Sequence, residues 1–419
     1  MPAHASALPH MPAPALAAAQ ASGWQCAAIT DPQALAALAP EWNALWARAD
    51  APRLSQGAEW ALAGWRICAA PRGARLWVLT LREEGRLVLV WPLEVRREKG
   101  IRIARPLGSD GTEYDGLLHA ASPRAGAWLA AAWAYAAAHL PADGVVVPFV
   151  GEGSARAASL VGKGLWQRRE TLPAPFVRLR DGAGWQAYWQ SRSKNLRNGS
   201  NRRRRRLEEL GPVAFRLLEE PAEIRAAIAL MLRAKAAWMA ARGLANPCIT
   251  RPDFRSFLEE AALHPAACGS TRLMVLDLCG QPAAIKLGTL DGTRFESFIS
   301  TFDPALDAYS PGTLLQVESL RWCADHGLDY DMRIGAEGYK ADWATGDAPV
   351  TSHTIALTLR GVGWLWAQAA DYQFRLRRDG LRDKLKAALA HRREAAAEAP
   401  ALAPGPWPVR GPTRGPAQG

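Results

Sequence analysis

Residues 329–343, DYDMRIGAEGYKADW, carry most of the candidate acid–base groups of the chain. If the segment begins as a strand, Asp331 and Arg333 point to the same face, because side chains alternate along a strand. Asp331 could accept a proton, Tyr339 could donate one and Lys340 could bind an anion. Each also has a structural interpretation: Asp331 in an ion pair with an arginine, and Tyr339 packed in a core. The segment marks a candidate site for proton transfer.

A second chemical signal is the sequence Ser310–Pro311–Gly312 at the predicted start of a helix. Serine is a favoured N-cap, and proline suits the first helical position because it needs no N–H there. Gly312 would let a ligand approach the backbone. A helix that begins in this way directs unpaired N–H groups and the positive end of its dipole outward, which predicts an anion site. The alternative is a well-capped helix without a ligand.

Five consecutive arginines occupy residues 202–206. The surrounding spacing predicts a helix whose apolar face holds Leu196, Leu207 and Leu210, with a break or bend at the poor helix formers 198–200. No aromatic residue interrupts the charged run, which disfavours binding of single-stranded nucleic acid by base stacking. Two interpretations stay open: a solvated charged face, or a contact with an anionic ligand.

The composition is that of a globular protein with an excess of positive charge. The 419 residues suffice for two or three domains, and 49% are hydrophobic while 22% are charged. The net charge of +11 remains positive without the five arginines, so the excess is distributed and favours acidic partners.

The six cysteines form no C-x-x-C pair and have no histidine at metal-site spacing. We therefore expect reduced, buried thiols and no metal. The first 23 residues lack the positive charge of a secretory signal, and the longest strongly apolar run, AGAWLAAAWAYAAAHL, is short for a membrane span. These features predict a soluble, cytoplasmic protein.

The chain divides into two blocks between Ala-, Pro- and Gly-rich tails. The first block contains a hairpin around the turn REEG and an alanine-rich helix. The second contains two helices, three antiparallel strands, the helix after Ser310, a strand, a short helix and a last strand. The predicted divisions are a disordered tail at 1–22, a first domain at 23–175, a second at 176–360, a final helix at 361–395 and a disordered tail at 396–419.

The order of elements in the second block resembles the GNAT acyltransferase fold. The resemblance implies that the fourth and fifth strands, 293–302 and 328–334, run parallel and then splay apart. The pantetheine arm of an acyl-CoA would then lie along the fourth strand, with its pyrophosphate on the turn Ser310–Leu314. The match departs from the usual glycine-rich loop of that fold, since a single glycine follows the strand here.

Three motifs narrow the resemblance to the cellulose-biosynthesis (CelD/BcsL-like) group of GNAT proteins, which is related to FemAB-like proteins. They are Ser193–Lys194–Arg197, Ser310–Pro311–Gly312, and Asp331 followed by Gly335, Tyr339 and Lys340. FemAB-like relatives have two GNAT-like halves, of which one binds ligand. The resemblance therefore implies a mixed α/β fold with two GNAT-like domains, each a mixed, mainly antiparallel sheet flanked by helices, the first of them degenerate.

The same resemblance implies roles for individual residues. Asp331 would be the base, Tyr339 the acid that protonates the CoA sulfur, and Glu296 a further candidate facing the acceptor. The acyl-CoA would contact Ser310, Gly312, Thr313, Leu314 and Ile299. Lys340, Lys194 and Arg197 would contact the acceptor or the phosphates, and Tyr114 and Asp115 would line a cleft between the halves.

The function implied is an acyl-CoA-dependent N- or O-acyltransferase, with acetyl-CoA or another acyl-CoA as co-substrate. Its acceptor would be a sugar or amine of exopolysaccharide or envelope metabolism. Contact with a membrane surface or a polysaccharide synthase is compatible with the basic surface, and no nucleic-acid partner is expected. Two alternatives stay open: a non-catalytic scaffold of a polysaccharide-synthesis complex, and an aminoacyl-tRNA-dependent FemAB-like transferase, although the sequence shows no inserted helical hairpin for tRNA.

Overall fold

A computed structural model describes residues 23–108, 110–180, 184–244, 246–335 and 337–371. Both predicted tails and most of the predicted last helix lie outside these ranges. The described residues through Gly363 form one compact unit. Of the separate unit that begins at Trp364, the described residues 364–371 are helical.

The first part of the chain builds one sheet and the helices that cover it. Its strands are β1 (Trp24–Ile29), β2 (Arg75–Glu83), β3 (Arg86–Glu98), β4 (Ile101–Pro106), β5 (Leu118–His119), β6 (Gly144–Gly151) and β7 (Trp166–Leu172). Its helices are α1 (Pro32–Ala37), α2 (Ala39–Trp46), α3 (Ala58–Ala63), α4 (Ala125–His139) and α5 (Ala155–Leu160), with a π-helical turn at Gly64–Ala69.

The second part contains the elements that form the candidate site. They are β8 (Pro175–Val177), α6 (Gly184–Ser191), α7 (Lys194–Glu208), β9 (Val213–Leu217), α8 (Pro221–Ala241), α9 (Pro252–Leu263), β10 (Ser270–Leu278), β11 (Gln281–Leu290), β12 (Arg294–Phe302), α10 (Pro311–Asp325), β13 (Asp329–Asp331), α11 (Gly338–Trp343), β14 (Gly346–Asp347) and β15 (Val350–Ala356).

Two mixed sheets result. The first has the order β1-β2-β3-β4-β6-β15-β7, with β5 beside β3, and the second has the order β14-β8-β13-β12-β11-β10-β9. Most neighbours are antiparallel, whereas β4–β6 and β12–β13 are parallel. The prediction of a mixed α/β fold with two mixed, mainly antiparallel sheets flanked by helices is confirmed. The last strand, β15, crosses back from the second block to join the first sheet.

Apolar side chains cover both faces of the second sheet. On one face α8 and α9 pack against the strands through Ile228, Phe257 and Leu287. On the other face α6, α7 and α10 enclose Phe295 and Tyr330. This double burial explains the apolar stretches in β10 and β11, which show little alternation.

Several local predictions are confirmed and others are wrong. The hairpin β2–β3 turns at Glu84 and Gly85, both with positive φ. Helix α7 is continuous through 198–200, because Ser200 faces inward between Leu196 and Leu207 and the Ser193 hydroxyl caps the helix. Leu210, predicted on the apolar face of this helix, lies beyond its end and is exposed.

The cysteines were predicted to be buried. Five of them are buried or half-buried, whereas Cys279 is exposed. All six cysteines are free thiols.

Candidate functional site

Strands β12 and β13 run side by side for three residue pairs and then separate. The pairs are Arg294–Asp329, Phe295–Tyr330 and Glu296–Asp331. Beyond them Ser297–Phe302 continues to pair with β11 on one side only. The notch between the two strands opens a cavity of about 350 Å³. The parallel pairing and the splay predicted for 293–302 and 328–334 are therefore present, although β13 is shorter than predicted.

The separation has a local cause at Asp331. Its carboxylate accepts a hydrogen bond from the Arg333 amide at 2.7 Å, and Arg333 adopts a left-handed conformation with φ 58°. The Met332 amide donates to the Pro175 carbonyl and the Gly335 amide to that of Pro173. These bonds direct the chain away from β12, so the edge of β12 facing the notch has no strand partner after Glu296 among the described residues.

The mouth of the notch is the N-terminus of α10. Ser310, Gly312 and Thr313 line it, as predicted for the anion site. Ser310 does not cap the helix with its side chain, however, because its left-handed backbone (φ 51°, ψ 56°) is not the extended conformation of a capping serine. The Thr313 and Leu314 amides donate to the Ser310 carbonyl. The Gly312 amide makes no hydrogen bond to the described residues and remains available to an anion.

The closed end of the notch contains a lysine that the sequence analysis did not select. Lys286, in the middle of β11, is 2% exposed. Its Nζ donates to Gln316 Oε1 at 2.6 Å and to Tyr330 Oη at 2.7 Å. Burial lowers the pKa of Lys286 to about 7. Burial also raises the pKa of Tyr330 well above its usual value, so this phenol keeps its proton.

A network of buried charges lies on the opposite face of the sheet. Arg53, from the first part of the chain, donates to Glu296 at 2.5 Å and to Asp331 at 2.8 Å. Tyr114 donates to Asp331 at 3.1 Å, and the Arg53 guanidinium lies over the Tyr114 ring. Burial alone would raise the pKa of Asp331, but the charge and hydrogen bond of Arg53 outweigh it and lower that pKa. The structural alternative for Asp331, an ion pair with an arginine, is thus present.

A second cavity, of about 540 Å³, adjoins this network between the two sheets. Asp331, Arg53, Tyr114 and Asp115 line it, which is the cleft position predicted for Tyr114 and Asp115. Tyr330 lines both cavities. The two cavities therefore approach the same residue of β13 from opposite faces of the sheet.

The remaining predicted site residues are dispersed. Tyr339 lines the notch and is 57% exposed. Lys340 is buried and donates to the carbonyl oxygens of Arg333 and Ile334, so it holds the chain after β13. The side chains of Leu314 and Ile299 are buried in the two cores and do not line either cavity.

The arginine run contacts α10 and the loop before it, but none of its residues lines the notch. Arg204 pairs with Glu318 of α10, and the Arg206 guanidinium lies over the ring of Tyr309, the residue before Ser310. Lys194 is exposed in the first turn of α7, and Arg197 is half-buried. The run is therefore neither a free tail nor wholly solvated.

Arg53 and Lys286 are the two residues that the sequence analysis missed. Arg53 carries no local signal, because its partners lie 243 and 278 residues away. Lys286 has one: it is the single charge in the apolar strand PAAIKLGTL. A charged residue at a position whose neighbours are all buried indicates function, because burying an ammonium group is costly.

The described part of the chain contains no group of three or more histidine, cysteine or acidic side chains arranged to bind a metal. None of its helices combines the length and apolarity needed to cross a membrane.

Comparison with known proteins places this site in a recognised domain. Residues 194–341 match the family model described as "Acetyltransferase (GNAT) domain". The segment is thus a GNAT-fold acetyltransferase domain, and it contains every residue that lines the notch except Trp343. No curated protein matches the chain.

Solved structures resemble the chain at low identity. The structure of FemX is 10% identical and covers 78% of this chain and 96% of its own, with a TM-score of 0.52. A tandem GNAT protein from the clavulanic acid biosynthesis pathway is 15% identical, with coverage of 80% and 98% and a TM-score of 0.43. A conserved protein of unknown function from Bacteroides thetaiotaomicron VPI-5482 is 13% identical, with coverage of 76% and 97% and a TM-score of 0.45. The likeness to FemX concerns the fold alone.

We predict that Arg53→Ala lowers the free energy of unfolding by about 3–5 kcal/mol, because Glu296 and Asp331 then remain buried without their shared cation. Urea unfolding monitored by tryptophan fluorescence measures this. Arg82→Ala is the control, since Arg82 pairs with the more exposed Glu41 and its loss should cost less than about 1 kcal/mol. Equal effects of the two substitutions would contradict the network.

We predict that Lys286→Met raises the free energy of unfolding by about 1–4 kcal/mol at pH 6, because methionine fills the site without a buried charge. The pKa of Lys286 is lower in the folded than in the unfolded chain, so the wild type gains stability as pH rises above 7. The advantage of the variant should therefore shrink towards pH 10. Urea unfolding at both pH values tests this, with the exposed Lys194→Met as control; a constant difference would contradict it.

Proposed function

We propose that the protein is an acyl-CoA-dependent N- or O-acyltransferase whose donor lies in the notch between β12 and β13. The observation that carries the proposal is the free edge of Ser297–Phe302, beside a cavity that ends at a helix N-terminus. An extended arm with amide groups can hydrogen-bond to such an edge as an added strand would. The volume of about 350 Å³ is within the usual range of ligand pockets.

The orientation of the donor follows from charge. Its diphosphate would lie at the exposed mouth, near the Gly312 amide and the positive end of the α10 dipole. Its acyl end would then reach the closed end, near Tyr330. Ser310 and Thr313 stay proposed contacts at the mouth, whereas Leu314 and Ile299 could contribute only backbone atoms.

The acceptor would enter the second cavity, on the other face of the sheet, and approach the thioester past Tyr330. Asp331 borders this route and stays the proposed base, supported by the hydrogen bond from Tyr114 that fixes its carboxylate. Glu296 is bound by Arg53 at 2.5 Å and would act only through that cation. Tyr339 stays a proposed acid, since burial raises the pKa of its phenol and keeps it protonated.

The identity of the acceptor rests on the resemblance to the cellulose-biosynthesis group. We propose a sugar or amine of exopolysaccharide or envelope metabolism, acylated in the cytoplasm. Contact of the basic surface with a membrane or a synthase belongs to the same proposal. Lys194 is exposed and Arg197 half-buried on α7, and both stay proposed contacts of the acceptor or the phosphates. Lys340 would act indirectly, because it binds the backbone carbonyl oxygens after β13.

We predict that acetyl-CoA binds with micromolar affinity and that Gly312→Leu weakens binding at least about tenfold. A leucine side chain at position 312 would project into the mouth of the notch and block it. The fold should tolerate the substitution, because the added Cβ would meet only the Phe302 ring, at 3.4 Å. Isothermal titration calorimetry measures the affinity.

Gly126→Leu is the matched control for this substitution. Gly126 is also the second residue of a 15-residue helix, and an added carbon there meets nothing within 4 Å. The control should bind acetyl-CoA as the wild type does. Absence of binding by the wild type would favour the scaffold alternative. Binding of aminoacyl-tRNA instead, with a steep loss of affinity on addition of salt, would favour the FemAB-like alternative.

We predict that Arg206→Ala weakens CoA binding about tenfold, because Arg206 lies beside the loop that leads to Ser310 and can contact a phosphate there. Arg225→Ala is the control, since it removes the same charge from an exposed site on α8. Dephospho-CoA, which lacks the 3′-phosphate, identifies the phosphate involved. If Arg206→Ala weakens the binding of dephospho-CoA as much as that of CoA, the arginine contacts the diphosphate. Equal affinities of the two variants would refute a role for the arginine run in binding the donor.

A further inference from the structure

We propose that Lys286, together with Tyr330 and Gln316, forms a binding site for the donor sulfur as a thiolate at the closed end of the notch. The proposal rests on the function proposed above and assigns a group within it. It differs from the sequence prediction, in which Tyr339 protonates the departing sulfur, because here Lys286 pairs with the thiolate and supplies that proton.

The position of Lys286 is fixed by the sheet. In β11 it lies between Met274 of β10 and Ser300 of β12 in the strand register. Its Nζ bonds to the hydroxyl of Tyr330, which belongs to the last residues of β13 that still pair with β12. The ammonium group therefore lies at the vertex where the two strands separate, and it lines the cavity.

The environment of Lys286 lacks a counter-ion. Within the described ranges no carboxylate lies within ion-pair distance of its Nζ, and its two hydrogen-bond acceptors are a neutral amide and a phenol. The titratable groups that face this end of the notch are Tyr330 of β13, Cys323 of α10 and Tyr339 of α11. Burial raises the pKa of each of these three groups, so none is negatively charged at neutral pH.

Among the described residues no group at this end of the notch supplies a negative charge, so we take a ligand as its source. The phosphates of the donor would not supply it, because in the proposed pose they lie at the mouth of the notch, whereas Lys286 is 2% exposed at its closed end. The sulfur of the donor is the group that reaches the closed end and becomes negative during transfer. An ammonium group next to a sulfur favours its thiolate form.

The proposed step transfers the acyl group from the sulfur of the donor to the acceptor. The nitrogen or oxygen of the acceptor attacks the thioester carbon, the new C–N or C–O bond forms, and the C–S bond breaks. The sulfur takes the bonding electron pair and becomes a thiolate paired with the Lys286 ammonium. The proton of the acceptor leaves towards the second cavity, where Asp331 lies. The thiolate takes a proton from Lys286, and free CoA departs as the thiol. Asp331 then releases the acceptor's proton to solvent, and Lys286 takes up a proton from solvent, which restores both groups.

The test uses binding of free CoA to the full chain, because no acceptor is needed. Free CoA carries the thiol, acetyl-CoA has it blocked and desulfo-CoA lacks it. We expect the wild type to bind CoA as the thiolate, seen as ultraviolet thiolate absorbance on mixing. The pKa of Lys286 is about 7, so this group is mostly charged at pH 6 and mostly neutral at pH 8. Binding at pH 6 should therefore release close to one proton, from the thiol. At pH 8 the thiol proton should move to Lys286, with little net release. Calorimetry in two buffers of different ionisation enthalpy measures the release.

Lys286→Met should lose the thiolate absorbance and bind CoA about tenfold more weakly, while its affinity for desulfo-CoA changes less than about twofold. Lys286→Arg, which keeps a charge, should retain part of the absorbance. Lys99→Met is the control, because Lys99 is exposed in the turn between β3 and β4 and lines neither cavity, so its loss should leave the affinity for all three ligands unchanged.

The outcomes separate this proposal from the one on which it rests. If the wild type binds CoA and desulfo-CoA equally, without thiolate absorbance, the role of Lys286 is refuted and the acyl-CoA site stands. If the wild type binds none of the three ligands, both proposals fail. A loss of affinity for all three ligands in Lys286→Met would show a structural role only and would also refute the proposal.

Discussion

The site depends on one hydrogen bond, which the Asp331 carboxylate accepts from the backbone amide of Arg333. That bond turns the backbone just where a regular strand would continue pairing with β12. Every other feature of the notch follows: the free edge of β12, the cavity beside it and its closed end at Tyr330. The same carboxylate is held by Arg53 and Tyr114, both from the first part of the chain. The first part therefore shapes the notch without lining it.

The two faces of the second sheet have opposite electrostatic character. On the face of the second cavity, Glu296 and Asp331 are buried with a cation between them. On the face of the notch, Lys286 is buried without an anion. A protein selected for stability alone would place an apolar residue there, since an unpaired buried charge is costly. The asymmetry is consistent with a donor that brings negative charge to one face and an acceptor that leaves a proton on the other.

Local signals made much of this fold predictable from the sequence. The hairpin at Glu84–Gly85, the meander β10–β12 and the helix after Pro311 each depend on neighbouring residues, and their order placed the notch correctly. Long-range pairing was not predictable. Arg53 finds its carboxylates more than 240 residues away, and β15 returns to the first sheet. The continuity of α7 was mispredicted because packing of Ser200 overrode weak helix propensity. Lys286 has a local signal, the single charge in an apolar strand, but its partners Gln316 and Tyr330 lie 30 and 44 residues away.

The most direct test of the account is backbone hydrogen–deuterium exchange of the full chain with and without acetyl-CoA. If the donor lies along the free edge of β12 and reaches the start of α10, the amides of Ser297–Phe302 and Gly312 should exchange more slowly with the ligand. The amides of β2 and β3, in the first sheet, should be unchanged. Protection confined to other segments, or no protection at saturating ligand, would contradict the placement of an acyl-CoA in the notch.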